Sequence, residues 1–439
     1  MAPEVEPVPP VPVDQRTLNP LAFFFIWTGA GISLAEVLAG GFLAEAGLLP
    51  GMAANFLGHL VGTTLLALGG VVGTDHGIPS MVSVRPPFGV RGSYLASVLN
   101  VIQLVGWTAV MLIVAARSLA AVSLELFGFR GYLVWVVVIG VATTVWAWVG
   151  REGWKWLEPV VSGLLLVLSL YIGCRILSTA GLRGLQAVNE GRGGGMSFGY
   201  ATDLVIAMPL SWLPLVADYS RFGRSAPGSF FGCWAGYFVS SSLMYALGLT
   251  AALATGTADI VGILTRLGMG AIALFIVAFS TLTTAFLDVY STAVSAQNLL
   301  PYLRERRLTL AAGVAGTLVA AFFPIERYES FLLFIGAVFV SLFGVVLSDY
   351  FLVRRRKLVV QDLFRPGGIY WYNRGVNTVA MIAWTAGVVT YYGCTRTSFW
   401  AGASIPSLAV AGLVYVLGTF LRRTSRRTSL LSASRDDVA

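Results

Sequence analysis

Apolar runs bounded by charge, glycine or proline divide the chain into twelve candidate helices, at about 20–45, 51–73, 93–121, 131–150, 156–179, 201–217, 227–255, 269–299, 308–323, 329–353, 376–395 and 399–421. Most approach the ~20 apolar residues that cross ~30 Å of hydrocarbon. The pattern predicts an all-α polytopic membrane protein: a tail over 1–18, one transmembrane domain over 19–424, and a second tail over 425–439 that ends in Asp436, Asp437, Val438 and Ala439.

Composition agrees, since 56% of the 439 residues are hydrophobic and only 11% charged, against ~25% charged in soluble domains. The net charge of +8 matters through its placement. Arg304, Arg306, Arg307, the run Arg354 to Lys357 and the pairs Arg422, Arg423 and Arg426, Arg427 all fall on one side of a twelve-span topology, which predicts both termini in the cytoplasm. The basic balance therefore reads as topology within a cell-membrane bilayer, with no nucleic acid and no obligatory protein partner implied. Cys174, Cys233 and Cys394 lie far apart inside apolar stretches and suggest neither disulfides nor a thiolate metal site. The stretch Gly181 to Gly199, with its GRGGG, reads as a flexible outer loop between two halves.

Two spans carry interruptions at mid-depth: Gly29 and Gly31 in span one, Pro209 and Pro214 in span six. Glycine loosens a helix and proline removes a backbone donor, and groups freed there must meet an ion, a ligand or other protein. Because the two lie five spans apart, the pattern predicts a five-plus-five inverted repeat with discontinuous helices one and six. Repeat one then covers about 20–179 and repeat two about 201–353, followed by two extra helices over about 376–421.

Candidate chemistry is sparse. Glu36 in span one and Asp288 in span eight are acids deep in apolar runs, where an ionisable group is a functional candidate by default. Asp203, Asp218 and Asp349 near span ends read as structural or gating residues. Ser280, Thr283 and Thr284 offer oxygens toward the interrupted span one, although hydroxyls in membrane helices often bond back to their own helix. Trp107 and Trp212 sit at mid-depth as stacking candidates, with Gln103 one turn before Trp107 as an amide partner. Trp27, Trp154, Trp156 and Trp400 read instead as interface-belt residues, and Asn55, His59 and Asn298 as helix-packing residues. With only His59 and His76, no HExxH and no Ser/His pairing, an enzyme is not indicated. A channel and an amino-acid or amine carrier with the same core remain alternatives.

The segments PFGVRGS (Pro87 to Ser93), Gly106 with Trp107, ADYSRFGR (Ala217 to Arg224), Thr283 with Thr284, and GVVLSDY (Gly344 to Tyr350) resemble the nucleobase:cation symporter-1 family, its purine/cytosine permease branch in particular. Span one and QLVGWTAVM are most similar to hydroxymethylpyrimidine permeases associated with thiamin supply. The resemblance implies a cation-coupled importer of a pyrimidine-type heterocycle, with a cytosine or purine nucleobase as the alternative substrate. It places a cation at the carbonyls near Gly29 and Ile32, the Ser280 carbonyl and the hydroxyls of Thr283 and Thr284, with Na⁺ expected and H⁺ the alternative. No other cofactor is implied. Trp107 takes the family's stacking position. Two departures, Glu36 in place of a small hydroxyl and Asp288 after the threonine pair, put cytosine itself in doubt and predict that these acids, with Gln103, Trp107 and Trp212, contact an aminopyrimidine.

Overall fold

The computed structural model describes residues 10–149, 157–190, 195–300 and 302–436. Among these the chain is almost wholly helical, and its only β pairings are two isolated bridges. Asn19 accepts the Ala22 N–H and Pro20 follows it, which starts α1 (Pro20–Gly31). Ser33 accepts the Glu36 N–H and starts α2 (Leu34–Phe42). Then come α3 (Leu48–His76), α4 (Ser93–Phe127), α5 (Tyr132–Val149), α6 (Leu157–Thr179) and α7 (Gly181–Glu190). The remainder is α8 (Phe198–Ser211), α9 (Leu213–Ser220), α10 (Ala226–Thr255), α11 (Ile260–Arg266), α12 (Ala271–Gln297), α13 (Glu305–Phe322), α14 (Tyr328–Leu347), α15 (Thr378–Arg396) and α16 (Ser404–Asp436). Gly128 and Gly256 end α4 and α10 in left-handed backbone, at φ 70° and 71°, where a side chain would be strained.

Eight helices among the described residues are long and apolar enough to cross a membrane, and the bent pair α1–α2 makes up to nine. The shorter or less apolar α6, α13 and α15 occupy the ranges expected for spans five, nine and eleven.

Packing sorts the helices into two groups. In one, α10 lies along α1, α2 and α3, and α3 also packs on α8 and α9. In the other, α4 packs most extensively on α12, with α5 and α13 closing the group. Small residues permit the close approaches: Gly232 and Gly236 of α10 face the backbone of Pro20 and Phe24, and Gly248 faces that of Val37. Both arms of the bent helix thus rest on α10. The last two helices pack on α14, and Asp203 of α8 accepts the Ala403 and Ser404 N–H groups at the start of α16. Beyond α14 the chain makes one π-helical stretch, Ser348–Val353, where Asp349 is ion-paired with Arg354 at 2.6 Å and accepts from Tyr415.

Three expectations need correction. Helix one bends by 59°, but at Ile32 and Ser33, just after the glycines. Span six is only nicked: Trp212 alone separates α8 from α9 and keeps near-helical backbone (φ −86°, ψ −15°), because its N–H still reaches Pro209 O. Part of the expected outer loop, 181–190, is helix α7, since Leu185 is fully buried against its neighbours; 191–194 lie outside the described residues.

Candidate functional site

The bend in helix one removes the i+4 donors that the carbonyls from Gly29 to Ile32 would have had in a continuous helix. A side chain at Gly29 would meet open space, whereas one at Gly31 would strike Ser240 of α10. Gly31 is therefore the packing glycine, and Gly29 borders unfilled room. In span six, Pro214 has no N–H, and the Leu215 N–H goes to Trp212 O, which leaves the Ser211 carbonyl without its helical donor. Gln103 of α4 supplies one, donating from Nε2 to Ser211 O at 2.9 Å and to Asn100 Oδ1 at 2.7 Å.

Between these two irregular backbones lies a small, nearly closed cavity of about 20 Å³, room for a water molecule and less than a ring in this conformation. One wall comes from Ser33, Ala35 and Glu36, another from Met208, Ser211, Trp212 and Leu215, and the third from Leu104, Trp107 and Met111 of α4 with Thr284 and Asp288 of α12. It thus sits where the two helix groups meet.

Four expected substrate residues come together here: Glu36, Trp107, Trp212 and Asp288 all line the cavity. Gln103 does not line it; fully buried, it stands behind the wall and braces the nick in span six. Trp107 is held edge-to-face by Tyr328 and Phe331, with ring centres 5.8 and 5.4 Å away, and Trp212 by Trp27 at 6.0 Å. Locked rings of this kind offer stacking surface at little entropic cost. Trp27 is the largest departure from expectation: it is 1% exposed, packed against Trp212, Tyr219 and Tyr237 rather than sitting in an interface belt. Trp400 is 80% exposed, and Trp154 and Trp156 lie outside the described residues.

The two acids differ. Asp288 has one carboxylate oxygen, Oδ2, buried without a hydrogen-bond partner among the described residues. Glu36 has both oxygens engaged: Tyr237 donates to Oε1 at 2.6 Å and Ser241 lies 2.8 Å from Oε2. Ser241 in turn touches His59 Nε2, so a histidine expected to serve packing belongs to the acid's network. An ionisable residue in an apolar span was the available signal for His59; Tyr237 and Ser241, about 200 positions from Glu36, gave none.

Of the expected cation ligands, Gly29 and Ile32 border the bend, Ser280 is buried on α12, and Thr284 reaches the cavity that Ser33 also lines. The Thr283 side chain lies outside the described residues.

Residues 10–418 match the model of a family described as permease for cytosine/purines, uracil, thiamine, allantoin. A hydantoin permease of Microbacterium maritypicum is 24% identical over 408 residues, covering 87% of this chain and 83% of its own. The cytosine permease of Escherichia coli K12 is 27% identical over 357 residues, covering 79% of this chain and 81% of its own. The fold is similar to that of Mhp1 in its inward-facing conformation, with a TM-score of 0.82, 22% identity and coverage of 94% and 93% of the two chains. It is equally similar to Mhp1 in a closed conformation with bromovinylhydantoin bound, described as a nucleobase-cation-symport-1 transporter, with a TM-score of 0.81, 21% identity and 95% coverage of both.

Proposed function

The chain belongs to the cytosine/purine permease family of nucleobase-cation-symport-1 transporters, and on that premise we propose that it imports a single-ring pyrimidine, hydroxymethylpyrimidine, by cation symport. It is a membrane transporter rather than an enzyme. The observation that carries the substrate reading is the lining of the cavity: two fixed indoles and one carboxylate oxygen buried without a partner among the described residues, a set that suits a flat ring bearing an N–H donor once the two helix groups part to admit it. In this reading Trp107 and Trp212 stack on the ring and Asp288 accepts from its exocyclic amine. Glu36 forms the opposite polar wall, each of its oxygens keeping capacity beyond the bond it already makes.

The twelve-span topology with cytoplasmic termini and the five-plus-five repeat are part of the same proposal. They are supported by the order of the longer helices and by the placement of irregular backbone at α1–α2 and α8–α9. Two helix groups meeting at one cavity suit alternating access, in which one group rocks against the other. The coupling ion in this reading is Na⁺, held by carbonyls at Gly29 and Ile32, the Ser280 carbonyl and the hydroxyls of Thr283 and Thr284, all oxygen ligands as a hard cation requires. The relatives named for cytosine and hydantoin define the competing substrates.

Uptake of labelled hydroxymethylpyrimidine into proteoliposomes, with and without an inward Na⁺ gradient, tests the proposal. Saturable, gradient-driven accumulation resistant to excess cytosine and hydantoin is the expected result. Accumulation of cytosine instead, with none of the pyrimidine, overturns the substrate assignment.

A further inference from the structure

Donor counting along the Glu36 network leads to a proton. His59 Nδ1 lies 2.9 Å from the Asn55 carbonyl oxygen, an atom that only accepts, so Nδ1 carries a hydrogen. In a neutral imidazole Nε2 is then an acceptor, and it faces Ser241 Oγ at 2.5 Å. That same hydroxyl lies 2.8 Å from Glu36 Oε2, and the other Glu36 oxygen already receives the Tyr237 hydrogen. Ser241 has one hydrogen and two neighbours that would both need it if Glu36 were ionised and His59 neutral. The geometry is satisfied only when the network holds one additional proton. Either Glu36 Oε2–H donates to Ser241 while Ser241 donates to His59, or His59 Nε2–H donates to Ser241 while Ser241 donates to the Glu36 carboxylate.

We propose that Glu36, Ser241 and His59 form a one-proton site beside the transport cavity, with the proton resting on Glu36 and relayed through Ser241 to His59 when a ligand N–H donor approaches the acid. The relay balances: the Glu36 O–H bond breaks as a Ser241 O–H forms, the original Ser241 hydrogen passes to Nε2, and a carboxylate and an imidazolium result. Every group is sealed from water, Glu36 at 1% and His59 at 0% exposure, so the separated charges form only with a partner in the cavity. The other titratable groups facing Glu36 are Tyr237 and Tyr245 of α10, Tyr328 of α14 and, across the cavity, Asp288 of α12. Tyr245 donates to Leu204 O and Tyr328 to Ala35 O, so neither hydroxyl hydrogen is directed to Glu36. The site is separate from the Na⁺ ligands assigned above, and only its ligand trigger rests on the pyrimidine reading.

The full-length protein carries two histidines, which makes the test direct. Nitrogen-15 NMR of histidine-labelled wild type is expected to give His59 as the neutral Nδ1–H tautomer. Infrared spectra at neutral pH are expected to contain a carboxylic-acid C=O band that shifts in D₂O and is lost in Glu36→Gln. In His59→Gln the amide turns to donate to Ser241, Glu36 no longer needs the proton, and the band should weaken at neutral pH. An Nε2–H tautomer in the wild type, or a Glu36 band indifferent to His59→Gln, overturns the shared proton; the tautomer readout stands even if the variant does not fold. Saturating hydroxymethylpyrimidine should remove the acid band and produce an imidazolium signal. Binding, seen as tryptophan fluorescence quenching, without that signal overturns the relay. No binding by the pyrimidine, with tautomer and band as expected, upholds the shared proton and counts against the substrate reading.

Discussion

A methyl group at Gly248 is the sharpest probe of how helix one is held. Built on the α10 backbone, it would collide with the Val37 carbonyl oxygen and stand 2.9 Å from the Gly41 nitrogen, against the ~3.5–4.0 Å of a relaxed contact. Both obstacles are main chain, so no rotamer change relieves them and α2 must back away from α10. Overpacking of this kind costs about 1–3 kcal/mol. The shift also draws Glu36, on α2, away from Tyr237 and Ser241, on α10, lengthening bonds that now measure 2.6 and 2.8 Å. If the cost falls on the transport-competent arrangement, ligand affinity drops by about 5–150-fold, the range that 1–3 kcal/mol spans. Gly248→Ala should therefore lower the melting temperature in detergent and weaken uptake together. Gly393→Ala, at a position where a methyl meets nothing within 4 Å, should leave both near wild type and reports on alanine's helix preference alone. A Gly248→Ala protein that melts and transports like the wild type would refute the claim that α10 sets the position of α2.

Other expectations follow from contacts already described. Trp107→Ala should weaken pyrimidine binding about tenfold or more, as read by competition binding, with Trp107→Phe intermediate. Gln103→Leu strands the Ser211 carbonyl and should cost about 1–3 kcal/mol, seen as a lower melting temperature even though the residue does not line the cavity. Asp349→Ala leaves Arg354 half-buried without its 2.6 Å partner and should cost about 3–5 kcal/mol, measured as loss of monodisperse protein in detergent, while Tyr415→Phe should be much milder. Asp203→Ala removes the acceptor for two N–H groups at the start of α16 and should cost about 1–2 kcal/mol in thermal stability.

Much of the fold was legible because membrane helices declare themselves by length and apolarity, and the glycines of helix one placed its break to within a few residues. The cavity was legible in part for a related reason: an acid or indole at mid-depth is conspicuous against an apolar background, and Glu36, Trp107, Trp212 and Asp288 do meet. What the residues did not disclose was cross-helix pairing. Trp27 looks like a belt residue until Trp212, Tyr219 and Tyr237 close over it from α9, α10 and the nick between α8 and α9. Gln103 looks like a ligand contact until the carbonyl freed by Pro214 claims it. Similarly, Leu185 gives little sign from its neighbours in sequence that it will anchor a short helix. In each case the deciding partner lies elsewhere in the chain, and local periodicity carries no information about it.

The cavity's walls belong to different helix groups, and this bears on how inhibitors of the protein would work. A compound that contacts only Trp107 and Asp288 rides with one group and leaves the other free to move. One that also grips Trp212 and the Ser33 bend acts as glue, and every gain in its affinity deepens the single spacing that it fits. In the rocking cycle proposed above, transport needs that spacing to change, so tight binding and fast turnover are opposed at this site. Ring-enlarged or aryl-extended pyrimidines that fill both sides should behave as blockers that bind well and are not carried.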